Sequence, residues 1–274
     1  MLFEQMREGI RMRVEAQSKS ASLKQRLAKN ELTIGSWITL GHPSIAEIMA
    51  GAGFDWLVVD AEHSVIELSE IQILIQAMDA HDCPAIVRVS SNDANQIKRV
   101  MDAGATGVMV PMVNSAADAE AAVRHTYYPP RGTRGVGLAR AQGYGAAFKA
   151  YLDWMSSSAV VIVMIEHRDA VDNIDEILAV SGVDAFIIGP YDLSASMGMP
   201  GEIGHPDVQE AIEQARKAGL AHGIAGGIHV VEPDRDELYR QIDSGYRFLG
   251  YGLDIRMLDS LCRRDLAEIR SRYE

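Results

Sequence analysis

The chain has 274 residues, of which 47% are hydrophobic and 23% charged, and this length suits one large core better than several domains. Its formal net charge of −12 argues against binding to nucleic acid or anionic membranes, because phosphate groups are bound by clustered Lys and Arg. The two cysteines form neither a metal-binding spacing nor a disulfide framework, and no apolar run is long enough to span a membrane. We therefore expect a cytoplasmic protein whose partners are small molecules.

The N-terminal segment MLFEQMREGIRMRVEAQ mixes Glu and Arg throughout, so it lacks the apolar stretch of a signal peptide. It predicts a short amphipathic helix. We accordingly divide the chain into an N-terminal helical arm at residues 1–30, which could pack on another subunit, and a single domain at residues 31–274.

From about Thr33 onward, short apolar runs alternate with segments of helical periodicity, a pattern typical of parallel strands joined by crossover helices. A doubly wound open sheet would show the same alternation, but eight strands in a chain of this length favour a closed (β/α)8 barrel. The strands are predicted at 34–40, 56–59, 85–89, 107–110, 160–165, 185–188, 220–225 and 248–251. Helices are predicted at 46–52, 68–80, 94–103, 117–125, 171–180, 207–217, 235–243 and 254–270.

In such a barrel the chemistry is carried by residues that follow the C-terminal strand ends. Strand two leads into DAEHS, which places Asp60, Glu62 and His63 at this rim. One interpretation makes His63 a base oriented by a carboxylate. The alternative is that Asp60 caps the next helix and His63 is an ordinary loop residue.

Arg88 ends the otherwise apolar third strand, AIVRV. Its guanidinium could bind a carboxylate in bidentate fashion or stabilise a developing oxyanion. The alternative is a structural ion pair with Asp60 or Glu62, which the sequence leaves equally open.

Two carboxylates follow strands five and six. Glu166 comes after six almost wholly apolar residues, and its burial without a cation would cost several kcal/mol. Asp192 lies just past a Gly-Pro turn, and together the two carboxylates suit a hard divalent ion such as Mg²⁺ or Mn²⁺. In the alternative, Glu166 pairs with His167 or Arg168 and Asp192 caps a helix.

Two further features complete the candidate site. The turn residues Gly189, Tyr191 and Asp192 could offer backbone N–H groups to an anion at the start of the next helix. A long loop, YYPPRGTRGVGLARAQGYG, separates strands four and five, and loops of this length in compact domains are usually functional or lid-like.

Several long motifs in the same order resemble the HpcH/HpaI family of class II pyruvate aldolases, from about Ile34 to Leu258. The strongest are AGAGFDWLVVDAEH, the Arg88 strand end, IKRVMDAGATGVMVPMV, YYPPRGTRGVG, IEHRDAVDNIDEI and IGPYDLSASMG. The resemblance implies a TIM barrel of the phosphoenolpyruvate/pyruvate-domain type, a homo-oligomer such as a trimer or hexamer, and a C-terminal helix exchanged between subunits.

The resemblance also implies metal-dependent retro-aldol cleavage of a 2-oxo acid into pyruvate and an aldehyde. Glu166 and Asp192 would bind Mg²⁺, Mn²⁺ or Co²⁺, and Arg88 would stabilise the enolate oxygen. His63 would move the proton of the 4-hydroxyl group. Trp37 in strand one is also expected among the substrate-binding residues.

The family assigns this histidine an acidic partner, and the matching residue is Asp102. Since MDAG ends a helix, Asp102 should lie at the rim opposite the active site, so we expect it to act on a neighbouring subunit if it acts at all. The alternative is an ordinary Asp at a helix end.

The chain departs from the family pattern on the aldehyde side of the pocket. Met164 replaces a Gln that many members have two residues before the metal-binding Glu, and AHGIAGGIHVVEPD differs around strand seven, where His229 could add a polar contact. Two other functions stay open: a malyl-, citramalyl- or citryl-CoA lyase, which would need a basic site for the nucleotide, and a metabolite-binding barrel without catalytic activity.

Overall fold

The computed structural model describes residues 22–273, in which eight parallel strands alternate with helices. The strands pair in sequence order and β8 also pairs with β1, so the sheet closes into the predicted (β/α)8 TIM barrel. They are β1 (Thr33–Ile38), β2 (Trp56–Asp60), β3 (Ala85–Arg88), β4 (Gly107–Val110), β5 (Val160–Ile165), β6 (Ala185–Ile188), β7 (Ala225–Val230) and β8 (Phe248–Leu253). Most of the predicted N-terminal arm, residues 1–21, lies outside the described residues.

The helices form a layer outside the strands, and within residues 22–273 none is long and apolar enough to cross a membrane. In the part of the chain that the structure describes, one helix precedes the barrel: α1 (Leu23–Ala28). The others are α2 (Pro43–Gly51), α3 (Leu68–Asp79), α4 (Ala94–Ala103), α5 (Ala116–Thr126), α6 (Phe148–Ser158), α7 (Arg168–Asp172), α8 (Ile174–Leu178), α9 (Pro190–Ser196), α10 (Pro206–His222), α11 (Arg235–Asp243) and α12 (Asp254–Tyr273), with a short 3-10 turn at Arg140–Gln142.

Helix α1 closes the N-terminal end of the barrel. Leu23 and Leu27 are buried in the same apolar cluster as Trp56 and Phe248, whose rings stack inside the barrel at 4.1 Å. Lys24 holds the helix in place, because its Nζ lies 2.5 Å from Asp184 Oδ1 just before β6 and donates to a backbone carbonyl just before β5. The boundary predicted near residue 30 stays a prediction.

The predicted seventh strand, 220–225, is wrong. Leu220 to His222 belong to the last turn of α10, which ends at Gly223 in the left-handed conformation (φ 66°). The true β7 contains two adjacent glycines, and a Cβ at Gly227 would lie 2.3 Å from the carbonyl oxygen of Phe248. Packing thus requires a residue type that weakens the strand pattern in the sequence.

The long loop after β4 also differs from its expected form. It is followed by α6, a helix absent from the predicted elements, and it packs against the N-terminal rim of its own barrel. Arg140 pairs with Asp79 at the end of α3 and donates to the carbonyl of Ala103 at the end of α4. The loop is therefore not a lid over its own active site.

Candidate active site

Strand register brings Asp60 and Arg88 together at the C-terminal rim, since the two are direct neighbours in the β2–β3 ladder. Arg88 Nε donates to Asp60 Oδ1 at 2.9 Å and Nη2 donates to Oδ2 at 2.5 Å, a bidentate pair. The ion pair weighed as an alternative is thus present. Arg88 Nη1, 3.5 Å from Glu62 Oε2, remains the group that can bind a substrate anion.

Asp60 is 2% exposed and organises the loop after β2. Its Oδ1 accepts hydrogen bonds from the backbone N–H groups of Glu62 (3.0 Å) and His63 (3.1 Å). Burial acts to raise the pKa of Asp60, but the hydrogen bonds and charge of Arg88 outweigh it and the pKa is lowered. Asp60 caps no helix, because α3 begins at Leu68 with Glu67 as its N-cap.

His63 projects from this loop toward solvent, with 63% of its side chain exposed. Its Nε2 lies 3.7 Å from Glu62 Oε2, close enough for the carboxylate to orient the ring through a small movement. Burial raises the pKa of Glu62, and the negative charges of Asp60 and Asp192 add to this. Glu62 was predicted only as an alternative partner of Arg88, yet it lies beside both His63 and Arg88.

Glu166 follows β5 and is 3% exposed. Its Oε1 accepts a hydrogen bond from Met112 N at 2.7 Å, and Met112 adopts a left-handed conformation (φ 52°) just past β4. Among residues 22–273 the other oxygen, Oε2, has no hydrogen-bond donor. Burial raises the pKa of Glu166 to about 7, and the charges of Glu62 and Asp192 contribute.

The two cations weighed as partners of Glu166 are engaged elsewhere: His167 caps α7 and lies beside Asp169, and Arg168 pairs with Asp172. The competing interpretation of Glu166 as an ion-pair member therefore does not hold. Its free oxygen and raised pKa are what a carboxylate shows when its natural partner is a cation from outside the chain.

Gly189 makes room for Glu166. A Cβ at this position would lie 2.8 Å from Glu166 Oε2 and 2.9 Å from Glu166 Cβ, so any larger residue would displace the carboxylate. The prediction that Gly189 offers its backbone N–H to an anion is wrong, because this N–H donates to the carbonyl of Ile165 at 3.1 Å. Gly189 is also the N-cap of α9, so Asp192 lies in the first turn rather than at the cap.

The donor set at this rim fits a divalent cation. Glu166 follows Ile165 and Gly189 follows Ile188, which are paired across β5 and β6, and Asp192 in the next turn is near enough for its charge to raise the pKa of Glu166. In the described part of the chain no three His, Cys, Asp or Glu side chains form a complete cation site by themselves. Two carboxylates with room for water and substrate oxygens are what Mg²⁺ and similar hard ions usually receive from a protein.

Trp37 and His229 line the barrel interior beside this rim. Trp37 is 3% exposed and its ring stacks on that of His229, with centroids 4.0 Å apart and planes 11° from parallel. Met164 also points into the interior and is buried. The predicted strand 220–225 would leave His229 in the loop that follows it, whereas His229 lies in β7.

Asp102 lies at the opposite end of the barrel, in the last turn of α4. It pairs with the buried Arg134 of the long loop, whose Nη2 lies 2.5 Å from Asp102 Oδ1. Arg134 is held in turn by Tyr151 of α6 at 3.0 Å. Within one subunit Asp102 is thus a neighbour of the long loop and is far from His63.

The sequence matches a family model described as HpcH/HpaI aldolase/citrate lyase over residues 33–260. It is 41% identical over 243 residues to a 4-hydroxy-2-oxovalerate aldolase of Rhodococcus jostii, covering 88% of this chain and 93% of that one. It is 37% identical over 250 residues to a 2-keto-3-deoxy-L-rhamnonate aldolase of Escherichia coli, covering 90% and 92% of the two chains.

A solved structure agrees with these matches. A HpcH/HpaI aldolase/citrate lyase family protein from Burkholderia cenocepacia superimposes with a TM-score of 0.86 at 37% identity, covering 92% of this chain and all of that one. The likeness therefore extends across the barrel and includes every strand end described above.

Proposed function

The chain belongs to the HpcH/HpaI aldolase/citrate lyase family, and on that premise we propose that it is a class II pyruvate aldolase. It cleaves a 4-hydroxy-2-oxo acid, or a 2-keto-3-deoxy sugar acid, reversibly into pyruvate and an aldehyde. The observation that carries the proposal is the buried Glu166, which has one oxygen without a donor among the described residues and whose pKa is raised in part by the charge of Asp192, with Arg88 and His63 on the same rim.

Glu166 and Asp192 would hold a divalent metal, Mg²⁺, Mn²⁺ or Co²⁺. Such an ion, when bound, supplies a Lewis acid for the keto and carboxylate oxygens of the substrate. Arg88 presents Nη1 to the oxygen that becomes negative as the carbon-carbon bond breaks, while Asp60 fixes the other edge of its guanidinium.

His63 would accept the proton of the 4-hydroxyl group during cleavage and return it during condensation. Its exposure at the rim suits this role, because the ring can reach a substrate without displacing buried groups. Glu62 supports the orientation of the ring. Gly189 gives the metal-binding carboxylate its space, and Tyr191 and Trp37 border the substrate.

A pyruvate-release assay tests the activity. We expect cleavage of free 4-hydroxy-2-oxo acids with added Mg²⁺, Mn²⁺ or Co²⁺, and a loss of at least about 100-fold in EDTA, because the ion carries much of the stabilisation of developing charge. The assay couples pyruvate to lactate dehydrogenase across a panel of hydroxy-oxo acids. Cleavage of malyl- or citramalyl-CoA without cleavage of free acids would instead assign a CoA-ester lyase, and the absence of pyruvate enolisation with every metal would favour a binding protein.

We also propose a homo-oligomer, a trimer or hexamer, in the cytoplasm. Helix α12 supports this assembly, because it leaves its own barrel with a row of exposed apolar side chains. These are Ile255, Leu258, Leu261, Leu266 and Ile269, each at least 41% exposed. A second copy would cover this face by exchanging the helix. The free thiols of Cys83 and Cys262 are compatible with a reducing compartment.

An oligomer would allow Asp102 to act on the active site of another subunit. The His63→Ala and Asp102→Asn variants should each have low turnover, and mixed oligomers made by co-expression should regain about a quarter of the activity, since a random mixture pairs intact His63 with an intact Asp102 at that frequency. Activity is compared with that of separately purified variants mixed after assembly, and light scattering gives the mass. Unchanged turnover in Asp102→Asn, or a monomer, would contradict the shared site.

A further inference from the structure

His229 lies among residues that carry no catalytic role in the proposed reaction. In β7, Ala225 faces the interior cluster and His229 follows on the same face, whereas Ile228 and Val230 pack outward against the helices. Ile228 pairs with Ile188, so His229 is level with Gly189 at the C-terminal rim. A histidine thus lies at the top of the otherwise largely apolar barrel interior.

Three contacts fix the His229 ring. It stacks on Trp37, it lies against Gly250, where a Cβ would meet its Cδ2 at 3.0 Å, and its Nε2 is 2.8 Å from the carbonyl oxygen of Gly252. A carbonyl oxygen only accepts hydrogen bonds, so Nε2 must carry the proton. The neutral ring then has a lone pair on Nδ1.

This Nδ1 has no hydrogen-bond partner within residues 22–273, and the side chain is partly exposed. Burial lowers the pKa of His229 to about 4, with the hydrogen bond to Gly252 and the charges of Arg88 and Asp60 as further influences. The ring therefore stays neutral near pH 7 and presents an acceptor, not a cation.

His229 Nδ1 lies on the side of the barrel mouth where the aldehyde half of the substrate is expected. Strands β5 and β6 lead to the proposed metal-binding carboxylates, β3 carries Arg88 and β2 leads to His63, so the proposed reaction places the pyruvate half and the carbon that bears the 4-hydroxyl group on the β2–β6 side of the mouth. The remaining side of the mouth is formed by β7, β8 and β1, where His229 and Trp37 lie. With the pyruvate half so placed, a chain beyond that carbon would extend toward these strands.

We propose that His229 determines aldehyde specificity, with Nδ1 accepting a hydrogen bond from a hydroxyl group on the aldehyde half of the substrate. The favoured aldehydes are then hydroxyaldehydes rather than alkyl aldehydes of the same size. This inference rests on the proposed aldolase function and adds the substrate class to it.

The test compares glycolaldehyde with propanal, which differ by a hydroxyl group in place of a methyl group, as acceptors for pyruvate. In His229→Leu the ratio of kcat/KM for glycolaldehyde to that for propanal should fall about tenfold relative to the parent, the effect of losing one hydrogen bond. His229→Asn, whose amide can donate to Gly252 and accept from the substrate, should keep the ratio within about threefold. His222→Leu, at the far end of α10, is the matched control and should leave it unchanged.

Exchange of the pyruvate methyl protons with deuterium separates the two proposals, because it needs the metal and Arg88 but no aldehyde. The parent and all three variants should exchange at similar rates. If they exchange and condense normally and the ratio is the same in His229→Leu as in the parent, His229 has no role in specificity and the aldolase function stands. If the parent itself does not exchange, the aldolase function fails.

Discussion

The Glu166→Gln variant should be inactive with every metal and, in EDTA at pH 8, more stable than the parent enzyme by about 3 kcal/mol. The activity loss, at least about 1,000-fold in kcat/KM, follows because an amide is a poor ligand for a hard cation. The gain in stability follows from the burial of this carboxylate, which is 3% exposed and accepts one hydrogen bond, at Oε1, from within the described residues.

The stability effect depends on pH in a defined direction. In the folded chain the pKa of Glu166 is raised from 4.5 to about 7, so the folded state binds this proton more tightly than the unfolded state does. The contribution to stability is therefore complete below about pH 4.5 and is lost as the pH rises through about 7. A shift of this size corresponds to roughly 3 kcal/mol.

Urea unfolding in EDTA at pH 5 and pH 8, at one protein concentration, measures the difference. The parent should lose stability between the two pH values relative to Glu166→Gln, and the two proteins should differ little at pH 5. Glu120→Gln, on the exposed face of α5, is the matched control and should change stability by less than about 0.5 kcal/mol. A variant less stable than the parent at pH 8 would show that Glu166 is satisfied within the chain.

The sequence was sufficient to predict most of the fold, because each barrel strand is a short apolar run between helical segments. Seven of the eight strands fall close to their predicted places. The seventh does not, because Gly226 and Gly227 are required by close contacts with Phe186 and Phe248 from neighbouring strands. Such a requirement comes from tertiary packing, which local periodicity does not record.

The candidate site was predictable to a similar degree. Parallel strands place their following residues at one rim, so the sequence could bring Glu166, Asp192 and Arg88 to the same end. It could not show that Met112 turns into a left-handed conformation and donates to Glu166, nor that His229 faces the interior. The first depends on a single left-handed residue just past β4, and the second on where β7 begins, which the weak strand pattern around Gly226 and Gly227 concealed.

Replacement of Arg88 should lower both the activity and the stability of the protein, because this residue serves the reaction and also neutralises the buried Asp60. In Arg88→Met, kcat/KM should fall by about 100- to 1,000-fold, the usual cost of removing a donor from a developing oxyanion. Arg88→Lys should recover only part of this loss, since an ammonium group cannot hold Asp60 with two parallel bonds and still present a third donor to substrate. Pyruvate-release kinetics and deuterium exchange into pyruvate measure the loss.

The loss of stability can be separated from the loss of activity with a double variant. Arg88→Met leaves Asp60, 2% exposed, without its cation, and should destabilise the protein by about 3–5 kcal/mol. Asp60→Asn combined with Arg88→Met removes the unpaired charge while the amide oxygen can still accept from Glu62 and His63, so most of the stability should return. Activity should not return, because the donor to the substrate oxygen is still missing. A double variant that regained turnover would mean that Arg88 acts only by neutralising Asp60.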